Sequence, residues 1–323
     1  MMSKVRIGVV GVGRMGEYHM GVLSDMQDVS EILIADIDDN RAAKMGAQFN
    51  VPYFTRYHDL FGKVDVVVIA VPTSLHHEVA KAFLVEKVHV LLEKPCTNDL
   101  EKARELFKIS EENKVVFHIG HIERFNGAVQ ELHKIVDDPI FIESKRMGPF
   151  NGRIKDDGVV LDMMIHDIDI ILNLINSKVT RTNVMGLSVF SDKDDLVNVQ
   201  LEFENKSLAS IFASRASQSK VRTLAITQKD SYVELDYTDQ EIYIHRQSSS
   251  EHVVRKDSLR YKQESLVERI FVHKENPLKL ELQHFFDCVK DGASRNVAVD
   301  KELYSLEIAL GILEKLNSQN GNQ

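Results

Sequence analysis

In the first third of the chain, apolar residues come in short and nearly unbroken runs: Val5–Val10, Glu31–Ala35, Asp65–Val71, His89–Leu92 and Val115–Ile119. Runs this short, rich in Val and Ile and apolar on successive positions, predict parallel strands covered on both faces. Between them the pattern turns amphipathic, predicting helices over Ser74–Glu86 and Asn98–Asn113. Ser74 and Asn98 are placed to cap these helices, since a short polar side chain accepts an otherwise unpaired backbone N–H. Strand–helix alternation of this kind predicts a doubly wound α/β domain over residues 1–121.

After His121 the rhythm changes. A helix is expected over Asn126–Val136, a strand over Ile140–Arg146 and a strongly apolar helix over Val159–Ile175. The segments Asn183–Phe190, Val197–Phe203, Leu208–Ala213, Val221–Thr227, Tyr232–Asp236 and Glu241–Arg246 then read as strands with no helix between them. Successive strands of that kind predict a largely antiparallel, open sheet in an α+β domain over 122–323. Helices are expected near Leu278–Lys290 and Lys301–Leu316. In the latter, Leu303, Leu306, Leu310 and Leu313 share one face and Asp300 stands at the cap. That last helix is expected to pack back on the first domain, and the polar tail Asn317–Gln323 to be disordered.

Composition narrows the function. A length of 323 residues suggests two domains, and 43% hydrophobic residues suffice for two cores. The formal charge of −9 excludes non-specific nucleic-acid binding, which needs a basic surface. Cys96 and Cys288, the only cysteines, are too far apart to suggest a disulfide framework or a zinc site, so a reducing compartment and no metal are expected. The chain enters its first strand by Val5 and has no bilayer-spanning apolar stretch, which predicts a cytoplasmic protein.

The first strand runs into "GVVGVGRMGEYHMG", where Gly11, Gly13 and Gly16 spell G-x-G-x-x-G ahead of a helix. In a βαβ unit the first glycine permits the tight turn, the second lets backbone approach a pyrophosphate, and the third allows helix–strand packing. The phosphates then lie at the helix N-terminus, whose free N–H groups favour negative charge. An acidic residue is due about 20 positions on. Asp36 supplies it at the end of "EILIAD", placed to hydrogen-bond a ribose 2′-OH and repel a 2′-phosphate. This predicts NAD rather than NADP, with Arg41 the one nearby cation able to weaken the preference.

Ligands of doubly wound sheets collect at the carboxyl ends of the strands. There, "LLEKPC" puts Glu93 and Lys94 directly beyond a strand. A lysine in such a cleft can stabilise the alkoxide that develops as hydride leaves a carbinol, although a solvated strand-end lysine gives the same pattern. A second candidate lies in "GVVLDMMIHDIDIIL", where Asp162 and His166 stand four apart on one helical face and Asp169 is three beyond. Charged residues in so apolar a helix are costly unless paired or functional. A His–Asp pair suits general-base work, with a structural hydrogen bond as the alternative, while a pair of metal ligands lacks a third and fourth at useful spacing.

The segments "GVVGVGRMGEYH", "VPTSLHHEVA", "LLEKPCTN", "GHIERFN" and "DDGVVLDMMIHDIDI" together resemble the glucose–fructose oxidoreductase / inositol dehydrogenase (Gfo/Idh/MocA) family, in the same order and over nearly the whole chain. The resemblance implies a Rossmann domain followed by a sheet domain, with the active site between them. It makes Lys94 the catalytic lysine, with Asp162 and His166 as partners. It assigns NAD to Gly11, Gly13, Arg14, Met15, Gly16, Asp36, Arg41, Thr73, His76, Glu93, Lys94 and His121. Glu123, Arg124, Asn126, Arg146, Arg153 and His166 are expected to meet substrate. "GHIERFN" and "VHKENPLKLELQHFFDCVKDG" are most similar to nucleotide-sugar members, implying a UDP-activated N-acetylhexosamine oxidised at C3. A diphosphate needs cations, for which Arg215, Lys220 and Arg222 are further candidates. A free polyol such as inositol is the alternative substrate, and a cofactor-sensing regulator the alternative of another class. Retention of Lys94, Asp162 and His166 argues against the regulator. The family also implies homo-oligomers through the exposed face of the second sheet. Cys96 departs from the aliphatic residue expected after E-K-P and implies a reactive thiol near the cofactor.

Overall fold

The unbroken apolar runs of the first third form one parallel sheet. The computed structural model describes residues 4–152, 157–247 and 265–320. Its first strands are β1 (Val5–Val10), β2 (Val29–Ala35), β3 (Tyr53–Phe54), β4 (Val66–Ile69), β5 (His89–Glu93) and β6 (Phe117–Gly120), with every pairing parallel. The order β3-β2-β1-β4-β5-β6 reverses direction between β1 and β4, and so opens a crevice at their carboxyl ends. The helices α1 (Arg14–Leu23), α2 (Asp39–Phe49), α3 (His76–Val85) and α4 (Leu100–Asn113) connect the strands.

Two expected caps differ. Ser74 lies inside a 3-10 turn over Thr73–Leu75 that leads into α3. Asp99 rather than Asn98 caps α4, accepting the Glu101 and Lys102 N–H groups, and its carboxylate also complements the helix dipole.

Beyond α5 (Gly127–Ile135), the second sheet comprises β7 (Phe141–Met147), β8 (Val179–Leu187), β9 (Leu196–Phe203), β10 (Leu208–Ser214), β11 (Val221–Thr227), β12 (Ser231–Asp236), β13 (Glu241–Gln247) and β14 (Ser265–Ile270). The order is β14-β13-β12-β11-β7-β10-β9-β8. Pairing is antiparallel except between β7 and β10, because β7 enters the sheet before α6 (Ile165–Ile175) and returns beside a later strand.

The last two helices, α7 (Pro277–Asp291) and α8 (Val299–Asn320), lash the domains together. Leu278, Leu282, Phe285 and Phe286 of α7 pack with Val5, Ile7 and Val9 of β1 and with Met20 and Leu23 of α1. A helix from the end of the chain therefore covers one face of the first sheet. Truncating either phenylalanine to Ala costs about 3–5 kcal/mol. Helix α8 packs on α4 and α6. Asp300 lies within its first turn, which begins at Val299. The expected disorder from Asn317 is not found through Asn320, because Lys315 and Gln319 donate to the Thr182 and Val184 carbonyls of β8 and tie the helix to that edge. Residues 321–323 lie outside the described residues.

Candidate active site

The glycine turn between β1 and α1 is built for close approach. Gly11 has φ +85°, and a Cβ there would stand 2.6 Å from the Ala70 carbonyl oxygen. A Cβ on Gly16 would stand 2.0 Å from the Gly11 carbonyl oxygen, whereas one on Gly13 would meet nothing within 4 Å. Gly13 is the N-cap of α1 and brings no side chain to the first-turn N–H groups. Beside the turn, the buried Asp36 carboxylate accepts the N–H groups of Val12 and Asp38, each at 2.9 Å. Arg41 reaches that carboxylate at 3.2 Å while remaining half exposed, and Arg14 is exposed at the helix start. Open space over Gly13, uncapped N–H groups and a carboxylate at the second strand end fit a dinucleotide.

At the next crevice, Lys94 follows β5. Its Nζ donates to Asp162 twice, to the carboxylate Oδ1 at 2.9 Å and to the backbone carbonyl at 2.5 Å. The apolar segment begins differently from the expected α-helix, since Val160–Met164 form a π turn before α6. Such a turn loosens the helical ladder, and here the Asp162 carbonyl faces the ammonium. The turn is anchored by Asp194, which takes the Val160 N–H on its carboxylate and the Val159 N–H on its carbonyl.

His166 follows on α6, partly open to solvent but with Nδ1 buried and unpartnered. Burial, and then the charges of Lys94 and Arg146, hold its imidazole well below the usual range, so it is neutral at neutral pH. The His121 ring meets it edge-on at 6.5 Å. His121 is pushed down to about 4, by burial and then by Arg124.

Several expected site residues lie behind this cluster rather than in it. His76 is buried, with its ring nitrogens 2.8 and 2.9 Å from the Pro95 and Val71 carbonyls, and so clips the turn after Lys94 to the end of β4. Glu93 pairs with His19 at 2.6 Å in the interior. Burial pushes the Glu93 carboxyl up, but the His19 hydrogen bond outweighs this and leaves it below the usual range. Thr73 donates to Asp157 at 2.6 Å and ties the first domain to the approach to α6.

The expected substrate arginines have internal partners. Arg146 is 2% exposed and holds Asp167 through two nitrogens and Glu123 through the third. Arg124 holds Asp169 in the same bidentate way and reaches Glu302 of α8 at 2.7 Å. The acids that looked too costly for an apolar helix are thus paired with the arginines that looked free, as buried charges require. Asn126 caps α5 and donates to the Tyr237 carbonyl, so "GHIERFN" forms the joint between the domains.

Arg215 is bound by Asp195 and Ser191. Burial pushes the Asp195 carboxyl up, yet the N–H groups of Phe190 and Val189 and the Arg215 guanidinium hold it below its usual range. Arg222, with a 39% exposed side chain, lies 3.7 Å from Glu123 and near enough to Asp162 and His166 for its charge to act on both, while Lys220 is exposed. Arg153 lies outside the described residues. Cys96 is buried and its thiol pushed far above the usual range, so it is not the reactive group its position suggested.

Sequence reading missed His19 and Asp195. Gly16, His19, Met20 and Leu23 are the buried face of α1, and a histidine at core spacing calls for a buried partner, here Glu93. Asp195 carried no periodic signal, since its work is to gather the N–H groups of a turn.

The pattern described as "Oxidoreductase family, NAD-binding Rossmann fold" matches residues 5–121. The GFO/IDH/MocA C-terminal domain matches residues 126–233. The chain is 31% identical over 249 residues to UDP-N-acetylglucosamine 3-dehydrogenase of Acidithiobacillus ferrooxidans, covering 77% of this chain and 79% of that one. The solved structure of that organism's enzyme GnnA superposes with a TM-score of 0.87 at 27% identity, covering 98% and 99% of the two chains. The NAD(+)-dependent scyllo-inositol 2-dehydrogenase of Bacillus subtilis is 24% identical over 343 residues, covering 99% of this chain and 96% of that one.

Proposed function

The chain belongs to the Gfo/Idh/MocA oxidoreductase family, with an NAD-binding Rossmann domain, and from that premise we propose that it oxidises C3 of UDP-N-acetylglucosamine to the 3-keto sugar. The observation that carries the chemistry is the Lys94–Asp162 pair beside a neutral His166, at the strand ends next to the glycine turn. The 31% identical relative supports the choice of substrate.

Gly11, Gly13, Arg14, Met15, Gly16, Asp36 and Arg41 hold the cofactor, which supplies a hydride acceptor when bound. Lys94 donates a hydrogen bond to the reacting hydroxyl oxygen and steadies the negative charge that grows there. Asp162 fixes the ammonium through two acceptors, so its position is set before substrate arrives. His166 takes the hydroxyl proton. With Nδ1 sealed in the interior, Nε2 is the nitrogen left to face the cleft. Its depressed affinity for protons keeps the lone pair available at neutral pH. Arg222 and Lys220 are the cations left for the diphosphate.

A free polyol is the second reading, favoured by the internal pairing of Arg124, Arg146 and Arg215, which removes three cations from the cleft. Exposed Met185 and Leu187, two apart on one face of the edge strand β8, suit that side of the second sheet to pairing with another copy. No helix among the described residues is long and apolar enough to cross a membrane, and two buried free cysteines suit the cytoplasm.

The test is NADH formation with NAD and UDP-N-acetylglucosamine, N-acetylglucosamine or myo-inositol in parallel, the keto product being drained by an aminotransferase and glutamate. Turnover confined to the UDP-sugar supports the first reading. Turnover of inositol alone replaces it with the second.

A further inference from the structure

Where α7 covers β6, three side chains converge that the reaction does not use. His118, His284 and Cys288 each bring one ligand atom, all within 4.8 Å of one another. His284 and Cys288 stand four apart on α7, with Nε2 and Sγ 3.7 Å apart. His118 comes from the neighbouring strand, its ring stacked on His284 at 5.5 Å between centroids. His118 is 8% exposed, and its Nε2 is buried without a hydrogen-bond partner. A buried polar atom left unpaired is destabilising, and one on a ring that stands beside a thiol and a second imidazole calls for an occupant.

We propose that His118, His284 and Cys288 bind a thiophilic divalent cation of the zinc class. Two imidazoles and a thiolate are a zinc donor set, and three protein ligands leave a fourth position for water. Ligand–metal lengths of about 2.0 Å for nitrogen and 2.3 Å for sulfur place tetrahedral ligand atoms roughly 3.3–3.6 Å apart. The Nε2–Sγ separation of 3.7 Å nearly meets this already, and the cluster closes by a contraction of at most roughly 1.5 Å.

Imidazole ligates only when neutral, and His118 is pushed down to about 3 by burial and then by Arg295 and His284. The charged neighbours include Asp287, which acts on His284 and Cys288, with Arg295, and Arg124, which acts on His118. Arg295 is itself engaged by Glu302 and the Phe117 carbonyl, each at 2.8 Å. Burial holds the Cys288 thiol above its usual range, so the ion displaces its proton on binding. The partly open His284 gives it a way in. Bound there, the ion cross-links β6 to α7 through ligands 166 and 170 residues apart in sequence. The expectation of no metal was drawn from the spacing of Cys96 and Cys288, and Cys96 is no part of this cluster.

The test is titration of the chelator-treated full-length protein with Co²⁺, whose thiolate complexes absorb in the near ultraviolet and whose tetrahedral sites absorb strongly in the visible. One equivalent per chain is expected, displaced by one equivalent of Zn²⁺ and accompanied by a raised Tm. The bands persist in Cys96→Ser and vanish in Cys288→Ser, and His118→Phe weakens Co²⁺ at least tenfold. NAD binding by each variant reports its folding. If Cys288→Ser fails to fold, the wild-type and Cys96→Ser spectra decide alone. Absence of the thiolate band at millimolar Co²⁺ overturns the proposal, as does an unchanged band in folded Cys288→Ser.

Discussion

Adding one methyl group at either of two neighbouring glycines separates the two jobs assigned to the turn. In Gly16→Ala the new Cβ falls 2.0 Å from the Gly11 carbonyl oxygen and 3.0 Å from its carbon. That is more than 1 Å inside ordinary contact, about 3.3 Å or beyond, so the turn and α1 must move apart. Overpacking of this kind costs about 1–3 kcal/mol, and in a chain of this size each kcal/mol lowers Tm by roughly 2–4 °C. The expected loss is therefore about 3–10 °C, with NAD binding lost as the turn opens. In Gly13→Ala the new Cβ meets no protein atom within 4 Å, and φ −70° suits alanine. Its N-cap penalty of a few tenths to 1 kcal/mol is offset by a similar gain from a stiffer unfolded chain. Tm should hold within about 2 °C. The methyl instead fills the space over the first-turn N–H groups. Losing one charge-assisted hydrogen bond there, about 1.5–3 kcal/mol, weakens NAD by roughly 10- to 100-fold. Calorimetric NAD binding and thermal melts of both variants check this. Wild-type NAD affinity in Gly13→Ala, or a wild-type melt in Gly16→Ala, refutes the reasoning.

Lys94→Ala should lower kcat by about 10²–10⁴ while NAD still binds, and Lys94→Arg should not restore it, because a planar guanidinium cannot replace a point ammonium. Steady-state rates alongside NAD titrations test both. Because His166 must be neutral to act and its pKa is depressed, kcat/KM should stay level as pH falls through 6.5, declining only below it. An acid limb at or above the ordinary histidine value contradicts that assignment. Arg146→Met leaves Asp167 buried without its partner and should cost about 3–5 kcal/mol, part of which Asp167→Asn in the same chain recovers. Denaturant unfolding of the single and double variants measures it.

The first sheet was legible because strands buried on both faces have no polar positions to blur the apolar run, as in Val66–Ile69. Tyr53–Phe54 is too short to carry a period, and the six residues of β14 break their alternation with Glu268 and Arg269 side by side. The glycine turn and Asp36 were legible because their requirements are local in sequence. Arg124 and Arg146 were not, since an arginine beside a motif reads alike whether it meets a ligand or an acid from a distant helix. Only the pairing of β7 with its neighbours and the docking of α6 decide that Arg146 faces Asp167. The π turn at Val160–Met164 had no sequence signal, because a run of Val, Leu and Met suits an α-helix equally well.

The central claim is removal of hydride from C3 of a UDP-linked sugar. Its most direct test is turnover of UDP-N-acetylglucosamine carrying deuterium at C3, with the NADH formed analysed by mass spectrometry. Deuterium in the NADH is the predicted result. Unlabelled NADH would mean that another carbon is oxidised, and no NADH from this substrate would contradict the account outright.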